Sequence, residues 1–79
     1  MTDTEIYEKY KEPVRRLAAQ LTEQPIDAED VLQEVFCTYI KNKPSFKDEE
    51  HAAAWFNIVT VNAAKMLRKS QERIEHNDT

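Results

Sequence analysis

The sequence predicts an all-α fold, a compact three-helix domain, and three observations support this prediction. The 79 residues contain no glycine, so the chain lacks the residue that tight hairpins and phosphate-binding loops normally require. Apolar residues recur at spacings of three and four, which is the period of an amphipathic helix. Prolines and polar clusters divide the chain into three such stretches. We therefore expect one domain over residues 1–79.

The first helix is expected over residues 3–24. Its apolar residues follow the helical period and comprise Ile6, Tyr7, Tyr10, Val14, Leu17, Ala18 and Leu21. Pro13 interrupts this pattern, because proline lacks an amide proton and crowds the preceding turn. We therefore expect this helix to be kinked or broken near residues 11–12 and to start afresh at Pro13.

The second helix is expected over residues 27–42. Asp27 is suited to cap its amino terminus, since a carboxylate can accept the free amides of the first turn. Pro44 disfavours helical geometry at Lys43 and so predicts the helix end. The apolar stripe of this helix comprises Val31, Leu32, Val35, Phe36, Tyr39 and Ile40. The predicted core of the domain comprises Val31, Leu32, Val35, Phe36, Val59, Leu17 and Leu21.

A loop over residues 43–50 and a third helix over residues 51–73 complete the prediction, with residues 75–79 as a frayed tail. At 100° per residue, the core stripe of this helix comprises Phe56, Val59, Ala63, Met66 and Leu67. A neighbouring face carries Trp55, Asn62, Lys65, Lys69 and Arg73. Ile58 and Val61 project away from the core stripe, so a partner, a ligand or another helix is expected to cover them.

Residues for catalysis or metal binding are lacking in the sequence. His51 and His76 are far apart and have no cysteine or second histidine at metal-ligand spacing. Cys37 lies mid-helix without a nearby histidine, which favours a small core or boundary residue over a nucleophile, and one cysteine cannot form an internal disulfide. We expect no enzyme activity, no metal and no cofactor.

The expected location is cytoplasmic and the domain is expected to be soluble. No apolar run approaches the roughly 20 residues that cross a bilayer. The acidic amino terminus lacks the basic start and apolar stretch of a signal peptide.

An acidic cluster surrounds the start of the second helix and comprises Glu23, Asp27, Glu29, Asp30 and Glu34. One interpretation is a solvated surface that compensates the helix dipole. The other is a docking face for a basic or polar helical partner, with Gln33 and Glu34 opposite the apolar stripe.

Basic residues concentrate in the third helix, and they also have two interpretations. The net charge of −4 argues against non-specific coating of duplex DNA. Residues 51–79 nevertheless carry three acids and four bases, whereas residues 1–50 carry twelve acids and seven bases. Bases near a helix end can simply complement its dipole. Beside Trp55 and Asn62, however, Lys65 and Lys69 favour binding of single-stranded nucleic acid.

Two sequence blocks at matching distance carry a family resemblance. The first is Asp27-Ala28-Glu29-Asp30-Val31-Leu32-Gln33-Glu34-Val35-Phe36. The second comprises Ser45-Phe46, Trp55-Phe56 and Thr60-Val61-Asn62-Ala63-Ala64-Lys65. With these blocks the chain resembles region 2 of the sigma factors of bacterial RNA polymerase, in particular the extracytoplasmic-function (ECF) group of the sigma-70 family. The resemblance implies a transcription initiation domain.

The resemblance also implies partners. Docking on the clamp helices of the largest catalytic subunit of RNA polymerase is implied for Asp27, Asp30, Gln33 and Glu34. Residues 46–50 would form the loop that captures a base of the minus-ten promoter element as it is recognised and melted. Contacts to the non-template DNA strand are implied for Phe46, Trp55, Asn62, Lys65, Arg68 and Lys69. An anti-sigma factor is a further candidate partner.

A second hypothesis of a different class is a stand-alone helical interaction module. Such a sigma-like decoy or regulator would use the acidic face to bind a protein and would not bind DNA. Salt-dependent binding to a single-stranded oligonucleotide distinguishes the two hypotheses, because only the sigma-type domain should show it. A small helical enzyme is the third and weakest alternative.

Overall fold

The chain folds into three helices. The computed structural model describes residues 2–77, with side chains for residues 2–71. In chain order the helices are α1 (Asp3–Leu21), α2 (Pro25–Asn42) and α3 (Glu49–Asn77), and the described residues contain no strand. Each helix packs against both others. The predicted all-α three-helix fold is confirmed. At about 1.5 Å per residue, α3 accounts for most of the 48 Å length of the molecule.

Helix α1 begins with a capping box. The Thr2 hydroxyl accepts the Glu5 amide at 3.1 Å, and the Glu5 carboxylate accepts the Thr2 amide at 3.3 Å, so two amides at the helix start are satisfied. The helix then runs unbroken through Pro13, and the predicted restart there does not occur. Pro13 is exposed, while Tyr10 and Val14 on either side are buried, so tertiary packing holds the helix together despite the lost hydrogen bond.

Helix α2 starts two residues earlier than expected. Gln24 is its N-cap, without a side-chain hydrogen bond, and Pro25 occupies the first turn. Proline suits that position because its fixed φ is helical and its missing amide would have no partner there. The prediction of Asp27 as the N-cap is therefore wrong, and this residue lies inside the first turn.

Lys43 ends α2 in the left-handed conformation, with φ 44° and ψ 55°. Its amide donates to the Tyr39 carbonyl at 2.8 Å, which satisfies one of the free carbonyls at the helix end. Glycine usually occupies such positions, since a side chain there costs about 1–2 kcal/mol. In this glycine-free chain a lysine does so, and its ammonium forms an ion pair with Asp3 of α1.

The buried core draws on all three helices. It comprises Ile6, Tyr10, Val14, Ala18, Ala28, Val31, Leu32, Val35, Tyr39, Ala52, Phe56, Ala63 and Ala64. Of the predicted core, Val31, Leu32 and Val35 are buried. Phe36, Val59 and Leu21 pack against the core while partly exposed. Leu17 is half-buried.

The face that α3 turns toward the core omits Met66 from the predicted stripe and adds Ala52, Thr60 and Ala64. Met66 was expected in the core stripe, but its side chain is 71% exposed. Met66 lies about 100° around the helix from Leu67, which packs against the core. Small residues centre the buried face instead, namely Thr60, Ala63 and Ala64. The Thr60 hydroxyl donates to the Phe56 carbonyl at 2.6 Å, so its burial leaves no unpaired polar atom.

Helix α3 is longer than expected at both ends. It begins at Glu49, where residue 51 was predicted. Its backbone continues to Asn77, so residues 75–77 of the predicted tail are helical. Residues 78–79 and the Arg73 side chain lie outside the described part of the chain.

Candidate protein and nucleic-acid interfaces

The outward face of α2 exposes three of the four residues predicted to dock on polymerase. Asp30, Gln33 and Glu34 are exposed, because the opposite side of the helix is buried in the core. Asp27 is half-buried, and its Oδ1 accepts a hydrogen bond from Gln71 Nε2 at 3.2 Å. It therefore forms part of the contact between α2 and α3. We call Asp30, Gln33 and Glu34 the docking face.

Part of the acidic cluster is neutralised within the molecule. Glu29 accepts a hydrogen bond from Arg15 Nε of α1 at 2.8 Å. Arg15 also forms an ion pair with Glu12. Hydrogen bonds to the two carboxylates raise the pKa of Arg15 above its ordinary value, and the bond to Glu29 has the larger effect. The carboxylates of Asp30 and Glu34 form no ion pair with the described side chains. The negative potential of α2 is thus concentrated on the docking face.

An apolar groove of about 600 Å³ borders the docking face between α1 and α2. The Tyr7 and Phe36 rings meet edge to face in it, with centroids 4.9 Å apart. Its other lining residues are Glu29, Leu32, Gln33, Cys37, Ile40 and Lys41. Cys37 is exposed, so its expected place in the core or at its boundary is wrong. The second helix turns this residue to the same side as Gln33, one turn away.

The outward face of α3 brings together Asn62, Lys65 and Lys69. These residues are exposed and, with Met66 and Arg68, line a shallow concavity of about 540 Å³. No carboxylate among residues 2–71 forms an ion pair with either lysine. We call Asn62, Lys65 and Lys69 the strand face.

Ile58 extends the strand face toward the helix start. It is 62% exposed and precedes Asn62 by one turn, so the two side chains lie on the same side of α3. Its predicted projection away from the core is confirmed. Val61, expected to project in the same way, is half-buried.

Arg68, which the resemblance assigned to DNA, lines the same concavity as the strand face and also contacts α1. Its Nη2 lies 3.4 Å from the Leu21 carbonyl at the end of α1. That carbonyl belongs to the last turn, where helical partners are lacking. Arg68 remains exposed, but this contact favours a role in holding α3 against α1.

Trp55 and Phe46 belong to an aromatic cluster around Tyr39. Phe46 lies 5.8 Å from Trp55 and 6.5 Å from Tyr39, measured between ring centroids. Trp55 lies 4.9 Å from the buried Phe56 ring, edge to face. Both Phe46 and Trp55 are half-buried. Each therefore offers only part of its ring for stacking on a base.

The same cluster is connected to the amino terminus of α1. The Tyr39 hydroxyl donates to Asp3 Oδ1 at 3.0 Å, and the Lys43 ammonium pairs with Asp3 Oδ2. The hydrogen bonds from Lys43 and Tyr39 lower the pKa of Asp3. The pKa of Tyr39 is raised, mainly by burial of the side chain and secondly by its hydrogen bond to Asp3. This network fixes the end of α2, where the loop toward Phe46 begins.

The loop before α3 closes with two hydrogen bonds that the sequence analysis missed. Asp48 Oδ1 accepts the His51 amide at 2.8 Å, and His51 Nδ1 accepts the Lys47 amide at 3.0 Å. Asp48 thereby caps α3, and His51 at the third helical position returns a bond toward the loop. The spacing Asp48-x-x-His51 resembles that of a capping box, but the His51 ring accepts the amide of Lys47, one residue before the cap, where a capping box would use the amide of the cap residue itself.

Metal-ligand clusters are not found among the described residues. In the same part of the chain, every helix is too short or too polar to cross a membrane.

Comparison with known protein families assigns the chain to one of them. Residues 6–74 match the family model for sigma-70 region 2, a span that includes α2, the loop and most of α3. The chain has no significant match among curated proteins or among solved structures. Sigma-70 region 2 domains bind RNA polymerase and take part in promoter recognition in general. Because the match covers most of the chain, this protein belongs to the sigma-70 region 2 family.

Proposed function

We propose that this domain acts in transcription initiation as a region 2 domain of the ECF group. In this proposal the docking face of α2 binds the clamp helices of the largest catalytic subunit of polymerase. The strand face of α3, together with the loop at residues 46–50, holds the non-template strand of the melted minus-ten element. The observation that carries the proposal is the exposure of two chemically distinct faces on different helices.

The docking face has the chemistry of a polar helical interface. Asp30 and Glu34 supply two carboxylates, and Gln33 between them supplies an amide that can both donate and accept hydrogen bonds. A basic or polar helix can pair with these groups without disturbing the core. The same face is available to an anti-sigma factor, which would then compete with polymerase. We place both interactions in the cytoplasm.

The strand face has the chemistry of a single-strand binding surface. Lys65 and Lys69 lie one turn apart and can contact phosphates of a single backbone, while the Asn62 amide can bind a base edge or sugar. The Phe46 and Trp55 rings are half-buried, so each can contact a base through its exposed part and neither forms an open stacking platform. In this arrangement Arg68 lines the same concavity as the strand face, so it can reach a phosphate in addition to its contact with the Leu21 carbonyl.

Replacing Asp30 and Gln33 together with alanine tests the docking face. Each lost interfacial hydrogen bond weakens binding by about 0.5–1.5 kcal/mol, so an isolated clamp-helix segment should bind roughly 5- to 150-fold more weakly. Titration calorimetry measures the affinity, and circular dichroism should show unchanged helicity. Gln20→Ala combined with Glu8→Ala is the matched control, since it removes the same kinds of groups from exposed positions on α1. Equal weakening by both double variants would contradict the assignment.

Replacing Lys65 and Lys69 with glutamine tests the strand face. Affinity for a single-stranded minus-ten-like oligonucleotide should fall, and the slope of log affinity against log salt should decrease in magnitude by about 1.4. Lys11→Gln with Lys41→Gln makes the same change in net charge away from this face and serves as control. If the unmodified domain binds polymerase but no single strand, the interaction-module hypothesis takes its place.

A further inference from the structure

We infer that His51 is a positioning residue whose neutral imidazole holds the loop before α3 in its strand-binding shape. The inference rests on the proposed function for the consequence in DNA binding, but its structural part stands by itself. The observation is the hydrogen bond from the Lys47 amide to His51 Nδ1 at 3.0 Å. The loop from Ser45 to Asp48 is the segment that it holds.

Only the neutral imidazole can make this bond. A neutral histidine has one nitrogen that accepts and one that donates, whereas the protonated ring carries a hydrogen on both nitrogens. With Nδ1 as acceptor, the proton of the neutral ring lies on Nε2. Protonation therefore turns the contact with the Lys47 amide from a hydrogen bond into an opposition of two donors. The bond from the His51 amide to Asp48 does not depend on the ring and persists.

The loop position depends on this contact because few other bonds hold it. Among the described residues, two hydrogen bonds join this loop to His51. The Lys47 amide donates to the His51 ring, and the His51 amide donates to the Asp48 carboxylate. The His51 ring meets Phe46 edge to face at 5.7 Å between centroids. Phe46 in turn lies against Tyr39 and Trp55. Loss of the Lys47 bond therefore loosens the chain on the side of Phe46 that faces solvent.

The charged groups around His51 come from the loop, from α3 and from α1. Lys47 and Asp48 flank it in the loop, and Glu49 and Glu50 precede it in the first turn of α3. From α1, Lys9 forms an ion pair with Glu49. Histidine side chains in general change charge between about pH 5 and pH 8.

The direction of the pH effect separates positioning from simple electrostatics. A new positive charge beside a polyanion should strengthen single-strand binding as the pH falls. Loss of the loop geometry should weaken it instead, by about three- to tenfold if one net hydrogen bond is lost. We expect binding of the single strand to weaken, because protonated Nδ1 of His51 can no longer accept the hydrogen bond from the Lys47 amide.

Nuclear magnetic resonance of the whole chain tests the structural part. The Lys47 amide should lose its hydrogen-bonded chemical shift and its exchange protection as the His51 ring titrates. His51→Gln should remove this pH dependence of the Lys47 amide, since the glutamine amide does not titrate. His76→Gln, which removes the other histidine, should leave the Lys47 titration unchanged. A Lys47 amide that ignores the His51 titration, or still titrates in His51→Gln, overturns the inference.

Binding of the single-stranded oligonucleotide from pH 8 to about pH 5.5 tests the functional part. The wild type should weaken about three- to tenfold, while His51→Gln should stay nearly flat. If the Lys47 amide titrates as expected but wild-type affinity rises at low pH, His51 positions the loop and the loop lies outside the strand site. That result would support the positioning role and refute the proposed strand contact of residues 46–50.

Discussion

Phe46 is the loop residue assigned to base capture, and its replacement tests whether it also supports the fold. Its ring is half-buried and lies 6.0 Å from the buried Phe56 ring and 5.8 Å from Trp55. Replacing it with alanine removes these contacts. We therefore expect Phe46→Ala to destabilise the domain as well as affect DNA binding.

The magnitude follows from the burial. Truncating a fully buried phenylalanine costs about 3–5 kcal/mol, so truncating Phe46, most of which is buried, should cost about 2–4 kcal/mol. A domain of this length has roughly 4–12 kcal/mol of stability in all. For 60–100 residues, 1 kcal/mol shifts the melting temperature by about 4–8 °C. Phe46→Ala should thus lower it by about 8–32 °C.

Thermal and urea unfolding followed by circular dichroism measure this effect, and Ile58→Ala provides the control. Ile58 is 62% exposed, so its truncation should change stability by no more than about 0.5 kcal/mol. A midpoint shift in Phe46→Ala no larger than that in Ile58→Ala would refute the packing argument. Phe46 would then be a residue held ready for a base, without a structural role.

Three further changes have expected outcomes. Pro13→Ala should raise the urea midpoint, because alanine restores an amide donor inside α1 and favours the helix by up to about 3 kcal/mol over proline. Wild type should be more stable than Asp3→Asn above pH 3.8, the ordinary value of that carboxyl, since Lys43 and Tyr39 lower its folded-state pKa. This advantage should vanish as the pH falls through that lowered pKa, as stability measured against pH would show. Alkylating the exposed Cys37 thiol should weaken clamp-helix binding without loss of helicity, because the added group lies one turn from Gln33.

The helices and most of the core could be predicted because their signal is periodic. Val31, Leu32 and Val35 are apolar residues on one side of a helix, and the structure buries them. The start of α2 was placed two residues late because Asp27 is a good cap by residue type, while Pro25 fits the first turn by backbone geometry. Local preference alone did not decide between the two.

Contacts between distant parts of the chain could not be predicted from one sequence. The Tyr39–Asp3 hydrogen bond joins residues 36 positions apart, and nothing in the spacing of either residue indicates the other. Arg68 shows the same limit, since its contact with the Leu21 carbonyl depends on how α3 crosses α1. The exposure of Met66 likewise depends on which few residues α3 turns inward. These features depend on how the helices pack against one another. The helical period alone identifies the buried face of a helix only to within about one residue.

The acidic face of α2 and the basic face of α3 make the charge distribution of the domain asymmetric. In the proposed function, Asp30 and Glu34 would repel an approaching polyanionic strand while Lys65 and Lys69 would attract it, so we expect the strand to meet the domain on the α3 side. At physiological salt the screening length is about 8 Å, slightly less than the diameter of one helix. This preference therefore acts only over the last stage of an encounter. A polymerase subunit already seated on α2 would remove part of the repulsion, and prior assembly with polymerase should speed capture of the strand.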